Sequence, residues 1–333
     1  MPVRVDTIQP PAAIEGGRIT IEGAGFPVDG PRLPDVRIGD RMARVVHASP
    51  TQLSVIVPPG LGVSGRTPVH LEQAPLATMF VDIAGPVATG LHQVDNPAVD
   101  ADDNLYVTFS GTRGQQVPVS IFRVRPNGTR EPFSSAIVNP TSMAFGPDGL
   151  LYVSSRFEGT VYRVMPDGAV EPFATHLGVA CGLAFAVDGT LFVGDRSGSL
   201  FKVDRQGRAD AFASLPGSIA AFHLAVGPDG LLYATGPTLS TYDVVYKVDA
   251  AGAVTTVYSG FGRPQGIAFD PHGALVVAEA LAGSSGLYRL SEDGEPRLVV
   301  SAPGVIGLAF GRDGSLIVCS GDTAYRMPEA GSI

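Results

Sequence analysis

The sequence predicts an all-β protein, with a six-bladed β-propeller preceded by an immunoglobulin-like β-sandwich. The first observation is a repeat, because strings similar to LAFxxDGxLYV occur in six copies after residue 95. The second is its period: the turn positions lie 40–46 residues apart, at Asp102, Asp148, Asp188, Asp229, His272 and Asp313. Four-stranded propeller blades repeat at about this length. The third is that residues 1–75 lack the repeat but contain short strand-like runs between Gly and Pro clusters.

The composition argues against nucleic acid and the membrane interior as partners. The 333 residues have a net charge of −9, whereas a nucleic-acid partner needs a basic surface. The longest apolar runs have the length of strands, so no membrane insertion is expected. The N-terminal MPVRVDTIQPP lacks an apolar signal-peptide core, which predicts a soluble, cytoplasmic protein as written. If a leader is missing from the sequence, the cell envelope or secretion is expected instead.

The two cysteines, Cys181 and Cys319, are predicted to be free and mostly buried. They belong to the third and sixth copies of the repeat. A closed ring of six blades places these copies on opposite sides of its axis. A disulfide needs Cα atoms within about 7 Å of each other, so the two thiols are not expected to pair.

The first domain is predicted to span residues 1–75. Its segments resemble the IPT/TIG family in Ile8-Gln9-Pro10 and in the strings GGRITIEGAGF, VRIGDRMARVV and SPTQLSVIVPPG that follow. The resemblance implies a spacer or interaction module, or a DNA-contacting or dimerising domain. Arginines 37, 41 and 44 are interspersed with aspartates 35 and 40, so the sequence favours a spacer or docking role over DNA contact.

The second domain, residues 79–333, is predicted to be the propeller. The last copy of the repeat ends with only three strands, and the segment 79–84 (MFVDIA) aligns with the fourth strands of the other copies. We therefore expect this segment, near Phe80, to complete the last blade and close the ring. Closure removes the sheet edges that would otherwise be open to aggregation.

The repeated strings (G)LAFxxDGxLYV and (V/L)YRVxxDG resemble those of NHL and gluconolactonase (senescence-marker)-like or strictosidine-synthase-like propellers. The resemblance implies the six-bladed architecture. It does not imply one activity, because this scaffold includes lactonases, lyases, sensors and pure binding domains.

Comparison of the copies with one another separates a uniform face from a variable face. Gly-containing turns join the first to the second strand and the third to the fourth, and both kinds of turn must lie on one face. The opposite face has loops that differ in length and chemistry, and rigid scaffolds usually place binding residues on such loops. Arg156, Arg196 and Tyr242 are candidate ligand contacts there. The basic residue in every third strand is expected to pair locally.

The channel mouth is lined by the first residues of each first strand: Asp95-Asn96, Thr141-Ser142, Cys181-Gly182, Phe222-His223, Gln265-Gly266 and Ile306-Gly307. In the lactonase relatives, residues at these positions hold a divalent cation through several oxygens. Here the resemblance implies a calcium or zinc site made by Asp95, Asn96 and Gln265, with Glu279 or Asp195 reaching in. Three other positions depart from that pattern because their side chains carry no oxygen: Phe222, Ile306 and Cys181.

Cys181 and His223 form a second enzymatic candidate, because they lie at nearly the same height on neighbouring copies. A thiolate nucleophile needs a base within hydrogen-bond reach and a group that orients the base. The alternative interpretation is that Cys181 is a small apolar residue that fills space and that His223 bonds a backbone carbonyl.

The sequence thus leaves two functions open. The first is a non-catalytic binding, sensor or scaffold propeller that recognises a small polar ligand or a protein on its variable face. The second is a metal-dependent hydrolase or lactonase. The sequence leans toward no enzyme, because the set of metal oxygens is incomplete. The predicted ligand-binding residues are Asp95, Asn96, Thr141, Arg156, Cys181, Asp195, Arg196, His223, Tyr242, Gln265 and Glu279.

Overall fold

The computed structural model describes residues 3–30, 33–74, 79–291 and 294–328, and the regular elements in these ranges are all β-strands. None of the described residues belongs to a helix that could span a membrane. The all-β prediction is confirmed. The prediction that Cys181 and Cys319 are free and buried is also confirmed.

The N-terminal part consists of eight strands around one apolar core. They are β1 (Arg4–Gln9), β2 (Ala12–Ala13), β3 (Arg18–Ala24), β4 (Val36–Ile38), β5 (Arg41–Ser49), β6 (Gln52–Ile56), β7 (Gly65–Leu71) and β8 (Met79–Ile83). Alternate residues point inward, as expected of strands with one buried face: Ile19 and Ile21 of β3 pack with Leu53 and Val55 of β6. The long strand β5 pairs with β6 at one end and with β4 at the other, so it links two groups of strands.

The rest of the chain forms repeated units of four antiparallel strands, which we number 1 to 6. Unit 1 is β10–β13 (Ala98–Val99, Leu105–Thr108, Ile121–Val124, Arg130–Ser134) and unit 2 is β14–β17 (Pro140–Phe145, Leu151–Ser155, Thr160–Val164, Val170–Ala174). Unit 3 is β18–β21 (Ala180–Phe185, Leu191–Asp195, Ser199–Val203, Ala209–Ser214) and unit 4 is β22–β25 (His223–Val226, Leu232–Thr235, Asp243–Val248, Val254–Phe261). Unit 5 is β26–β29 (Pro264–Phe269, Leu275–Glu279, Gly286–Leu290, Pro296–Ser301), and unit 6 is β30–β32 (Val305–Phe310, Leu316–Ser320, Thr323–Met327) together with β9 (Gly85–Thr89).

The prediction of six separate blades is wrong in its count. Five of the units form separate four-stranded sheets, but unit 5 does not. The short strand β2 pairs in parallel with β29 on one side and with β8 on the other. Unit 5 is therefore the end of a 12-stranded sheet that continues into the N-terminal domain. The repeat could not reveal this, because the joining strand lies outside it.

The strand that completes unit 6 is also different from the predicted one. β9 pairs with β32, whereas β8, the predicted closing strand at 79–84, pairs with β7 and β2. The prediction is wrong by one strand, because β8 belongs to the N-terminal core, where its Val81 and Ile83 are buried. With β9 in place, the first strands of the units contact one another around a closed ring.

The uniform face is built from repeated local contacts. In unit 2, Asp148 accepts a hydrogen bond from the backbone N–H of Leu150 at 3.1 Å and from the Tyr152 hydroxyl at 2.9 Å. The Tyr152 ring packs edge-on against Phe173 of its own unit and Phe185 of unit 3, with both centroids 4.9 Å away. Such edge-to-face pairs stabilise beyond the area that they bury. The turn aspartates Asp148, Asp188, Asp229 and Asp313 are therefore structural, as predicted. In unit 1 Asp100, and not Asp102, accepts these bonds.

The basic residues of the third strands pair locally, which confirms the prediction that they do not line the channel. The contacts are Arg123–Glu131 at 2.5 Å, Arg163–Glu171 at 2.9 Å, Lys247–Asp229 at 2.8 Å, Arg289–Asp270 at 3.2 Å, Lys202 over the Phe212 ring at 3.8 Å, and Arg326 to the Asp103 carbonyl at 3.0 Å.

The buried tyrosines predict a loss of stability at high pH. Burial, with the hydrogen bond to Asp148, raises the pKa of Tyr152 to about 12. An unfolded tyrosine ionises near pH 10, so between these values the folded state binds more protons, and the free energy of unfolding falls as the pH rises. We expect denaturant midpoints to fall from pH 10 to 12, and to fall less in Tyr152→Phe. An equal fall in both proteins would contradict this assignment.

Candidate functional site

A hydrogen bond between opposite units closes the channel near the variable face. The Nδ1 atom of His223, in unit 4, lies 2.5 Å from Oδ1 of Asp95, at the start of unit 1. The side chains are 0 % and 2 % exposed. The other ring nitrogen, Nε2, lies 3.2 Å from Oε1 of Gln265, in unit 5. Three predicted site residues therefore meet in one buried polar network, and both nitrogens of the histidine have partners.

Asn96 is brought into the channel but fulfils a structural role. Its Nδ2 donates to the carbonyl of Ile267 at 2.8 Å, and its Oδ1 accepts from the N–H of Leu308 at 3.0 Å. It thus ties unit 1 to the first strands of units 5 and 6. Gly266 and Gly307 make room for it, because a Cβ at Gly266 would lie 2.2 Å from Asn96 Oδ1 and one at Gly307 would lie 2.7 Å from Asn96 Cα.

The Cys181–His223 dyad is not formed as a nucleophile and base. The Cys181 thiol donates to the carbonyl of Val179 at 3.2 Å, while both His223 nitrogens face Asp95 and Gln265. Burial raises the pKa of Cys181 to about 12. The thiol therefore stays protonated at neutral pH, and no free base is available to remove its proton. The sequence spacing placed the two residues at the same height but could not show how each is bonded.

Thiol reactivity tests this assignment. We expect native protein to react negligibly with dithionitrobenzoate at pH 8, because both cysteines are buried and the thiolate is the reactive form. The same protein in guanidinium should release two equivalents, one for each cysteine. Cys319→Ser provides the control, since it leaves Cys181 as the single thiol. Fast labelling of native Cys319→Ser would contradict a protonated, buried Cys181.

Asp195 and Glu279 support their own loops and do not reach into the channel. Asp195 accepts from the N–H of Val179 at 2.7 Å and from the hydroxyl of Ser197. Glu279 accepts from the N–H groups of Gly262, Arg263 and Leu281 at 2.8, 2.9 and 2.6 Å. Both occupy the last position of a second strand. Both carboxylates therefore bind backbone N–H groups of nearby loops.

The four predicted metal ligands do not fit a common cation site. Asp95 is bonded to His223, Gln265 faces the same histidine, and the amide of Asn96 and both oxygens of Glu279 have backbone partners. Calcium needs six or more oxygens. Within the described ranges, no three His, Cys, Asp or Glu side chains form a group that could hold a metal.

Arg156 lies at the channel mouth without a partner for its side chain. It follows β15 on the variable face, is half-buried, and among the described residues its guanidinium forms no hydrogen bond or ion pair. Burial lowers its pKa, and the charge of Arg196 adds to this effect. His92, before unit 1, has its pKa lowered by burial and by Arg156. The charge of Arg156 thus acts on His92, and that of Arg196 acts on Arg156.

The remaining predicted contacts are separate from this cluster. Thr141 is buried and its hydroxyl donates to the carbonyl of Asn139 at 3.3 Å, so it is part of the scaffold. Tyr242 is 63 % exposed on the loop of unit 4. The sequence reasoning missed His92, because it precedes the first repeated string and has no counterpart in the other copies.

The sequence reasoning also missed Asn139, which has a positive φ of 48°. Its Oδ1 accepts from the N–H of Gly114 at 2.6 Å, and its Nδ2 donates to the carbonyl of Thr112 at 2.8 Å. Asn139 thereby fixes the long loop of unit 1 beside Arg156. The tolerance of asparagine for positive φ was the signal available in the sequence.

Large clefts also occur on the uniform face, but they belong to the scaffold. One of about 550 Å³ lies between units 1 and 2 and is lined by Tyr106, Arg123 and Phe145. A similar one of about 370 Å³ lies between units 2 and 3 and is lined by Tyr152, Arg163 and Phe185. Because the cleft recurs with the repeat and its third-strand arginines are already paired, we place the candidate site at the channel mouth.

Comparison with known proteins agrees with this architecture. The model of the IPT/TIG domain matches residues 2–81. No curated protein sequence matches the chain.

Solved structures of several differently named proteins share the fold. A gluconolactonase from Xanthomonas campestris is 16 % identical with a TM-score of 0.62, covering 90 % of this chain and 99 % of its own. An auxiliary nutrient binding protein from Bacteroides ovatus is 14 % identical with a TM-score of 0.55, covering 99 % and 98 %. Virginiamycin B lyase from Staphylococcus aureus is 13 % identical with a TM-score of 0.53, covering 98 % and 94 %. The chain therefore combines a segment that matches the IPT/TIG domain with a β-propeller whose structural neighbours include gluconolactonases and nutrient-binding proteins.

Proposed function

We propose that this protein is a non-catalytic binding protein that takes up a small polar molecule at the channel mouth on the variable face. The main observation is that the Asp95–His223 bond closes the channel below a mouth in which Arg156 has no partner among the described residues. A closed floor with an unpaired polar group above it suits a ligand that enters from one side. Two structural neighbours are described as auxiliary nutrient binding proteins, and this supports a binding function.

The roles of the two domains form part of the proposal. We take the N-terminal domain as an immunoglobulin-like spacer or docking module. We take the propeller as six-bladed and NHL-like when unit 5 is counted with the five separate sheets. Because β2 joins the two domains through backbone pairing, the spacer would hold the channel mouth at a fixed orientation to whatever the N-terminal domain contacts.

A blocking substitution tests the binding site without changing its charge. Ala280 is equivalent to Arg156, because the N–H of each donates to the carbonyl of the residue before the first strand of its own unit: Ala280 to Arg263 and Arg156 to Asn139. Trp at position 280 would place a large ring over the mouth. Native mass spectrometry with a mixture of monosaccharides, sugar acids and amino acids should show adducts with the wild type and none with Ala280→Trp.

The matched control is Val187→Trp, on an exposed turn of the uniform face where the side chain is 96 % exposed. It should keep every adduct of the wild type. Adducts that survive Ala280→Trp, or the absence of adducts from the wild type, would overturn the proposed site.

The alternative function, a metal-dependent lactonase, predicts a different result. A cation at 100 times its Kd would stabilise the protein by about 2.7 kcal/mol. Because the predicted ligands have other partners, we expect calcium, magnesium, manganese or zinc to leave the Tm of EDTA-treated protein unchanged. A rise of several degrees that Gln265→Ala abolishes would favour the lactonase. We choose Gln265→Ala and not Asp95→Ala for this test, because Asp95→Ala would lower the Tm by itself.

A further inference from the structure

We propose that the outer edge of unit 4 is an interface at which a second copy of this protein pairs with the first, strand β25 against strand β25. A twofold axis would relate the two copies, so that the strands run antiparallel and the two four-stranded sheets become one sheet of eight strands. Three observations support this interface: the composition of the edge, an equivalent edge that is already paired in this molecule, and the apolar side chains at both ends of β25. The interface is independent of the proposed function, because β25 is the strand of unit 4 farthest from the channel.

β25 has an unusual composition among the edge strands that do not line the channel. Its eight residues, VTTVYSGF, include no charged residue and no proline, and it pairs with β24 on one side only. Proteins usually protect exposed edges with charges or proline, since a free edge can otherwise pair with another strand. The other described edge strands have this protection: Arg4 and Asp6 in β1, Pro86 in β9, Arg130, Glu131 and Pro132 in β13, Glu171 and Pro172 in β17, and Asp210 in β21. The composition therefore marks β25 as the edge that is open to pairing.

The lack of charge also favours a second copy as the partner. In a twofold pairing each strand faces its own sequence, so a charged residue lies near a like charge of the other copy. β17 and β21 each have one acidic residue and no basic one, so self-pairing would bring like charges together there. β25 avoids this repulsion, although the chain as a whole has a net charge of −9.

Unit 5 shows that a fourth strand of this propeller can pair on its outer side. β2 pairs with β29 at Val300 and Ser301, and the N–H of Ile14 donates to the carbonyl of Ser301 at 3.0 Å. Both β29 and β25 contain a bulge relative to the third strand of their unit, so the bulge does not prevent such pairing. β25 is two residues longer than β29, yet no strand in the described part of the chain covers it.

Exposed apolar side chains lie at both ends of β25. Leu239 and Tyr242, 90 % and 63 % exposed, belong to the loop before β24, whose first residue is paired with the last residue of β25. This loop is held in place, because Asp243 accepts hydrogen bonds from the N–H and the hydroxyl of Thr238 at 3.0 and 2.6 Å. Val254, at the start of β25, is 38 % exposed. Antiparallel pairing brings the loop of one copy toward Val254 of the second copy, so both apolar ends would leave water.

Sedimentation velocity tests the interface, because a dimer has twice the monomer mass of 34.4 kDa. We expect the wild type to dimerise at concentrations up to about 100 µM. Thr256→Lys/Ser259→Lys adds two like charges to the edge, at positions where both side chains are exposed. This variant should raise the dimer Kd by about tenfold or more, since lysine on an edge opposes pairing. Its far-UV circular dichroism should match that of the wild type.

The matched control is Ala211→Lys/Ser214→Lys in β21. These positions have the same register on the third strand of unit 3 as positions 256 and 259 have on that of unit 4, and their side chains are also exposed. The control should dimerise as the wild type does. Equal weakening of the dimer by both pairs of substitutions would overturn the assignment to β25.

A charge exchange identifies the occupant of the edge. Thr256→Glu/Ser259→Glu should be as monomeric as the lysine variant. An equimolar mixture of the two should form dimers again, because opposite charges then face each other across the interface. No dimer in the mixture would overturn the pairing of β25 with itself. A wild type that stays monomeric would overturn the second copy as occupant in favour of an extended segment of another protein, and assembly into large particles would overturn the closed twofold interface.

Discussion

His223→Leu is expected to lower the free energy of unfolding by about 3–5 kcal/mol, because it leaves a buried carboxylate without its partner. Asp95 is 2 % exposed, and after the substitution its remaining bond to Oδ1 is the N–H of Asn96 at 2.7 Å. Bulk water cannot replace the imidazole at such a buried position. Urea denaturation followed by tyrosine fluorescence measures the loss.

A double variant distinguishes the loss of this bond from simple loss of packing. In Asp95→Asn/His223→Leu an uncharged amide replaces the carboxylate, so we expect much of the lost stability to return, as is found when both members of a buried pair are replaced. The control is His272→Leu, which removes an exposed histidine from a turn of unit 5 and should change stability by less than about 0.5 kcal/mol. Additive effects of the two substitutions would show that Asp95 and His223 are not coupled.

Gly307→Ala is expected to destabilise the propeller by about 3 kcal/mol, at the upper end of what overpacking usually costs. A Cβ at this position would lie 2.7 Å from Cα of Asn96, 2.9 Å from its N and 2.9 Å from the carbonyl oxygen of Asp95. All three are backbone atoms, so no side-chain rotation relieves the clash. The substitution would push the 95–96 segment out of the channel and weaken the contacts that join units 1, 5 and 6.

Gly321→Ala is the matched control on the same face. Its added Cβ would meet Cδ1 of Ile306 at 3.5 Å, an ordinary contact, and its φ is not in the left-handed region. We expect Gly321→Ala to leave stability unchanged or to raise it by up to about 1 kcal/mol, because alanine restricts the unfolded chain. Similar thermal midpoints for the two variants would show that Asn96 does not depend on the space at Gly307.

Local contacts explain which parts of the fold the sequence could predict. The turn aspartates, the second-strand tyrosines and the third-strand cations interact with partners in the same or the next unit. Asp148 and Tyr152, for example, are four residues apart. Such contacts recur with the period of the repeat, so comparing six copies within one sequence was enough to assign them to the scaffold and to separate the two faces.

The closing strand and the join between the domains were not predictable in this way. β8 and β9 are adjacent in the chain, and the choice between them depends on which one fills the N-terminal core. β2 has only two residues and lies outside the repeat. Its position between β8 and β29 follows from the packing of whole domains.

The sequence by itself determined the all-β class, the repeat, the variable face, and most of the residues that line the channel mouth. The tertiary structure decided what those residues do. Asp95 and His223 are 128 residues apart and meet because the ring is closed, so their bond depends on the curvature of the whole propeller. The same closure places the other ring nitrogen of His223 beside Gln265 of unit 5. Contacts across the axis have no period in the sequence. The sequence therefore could not show that Asp95 and Gln265, two predicted metal ligands, are both bonded to His223.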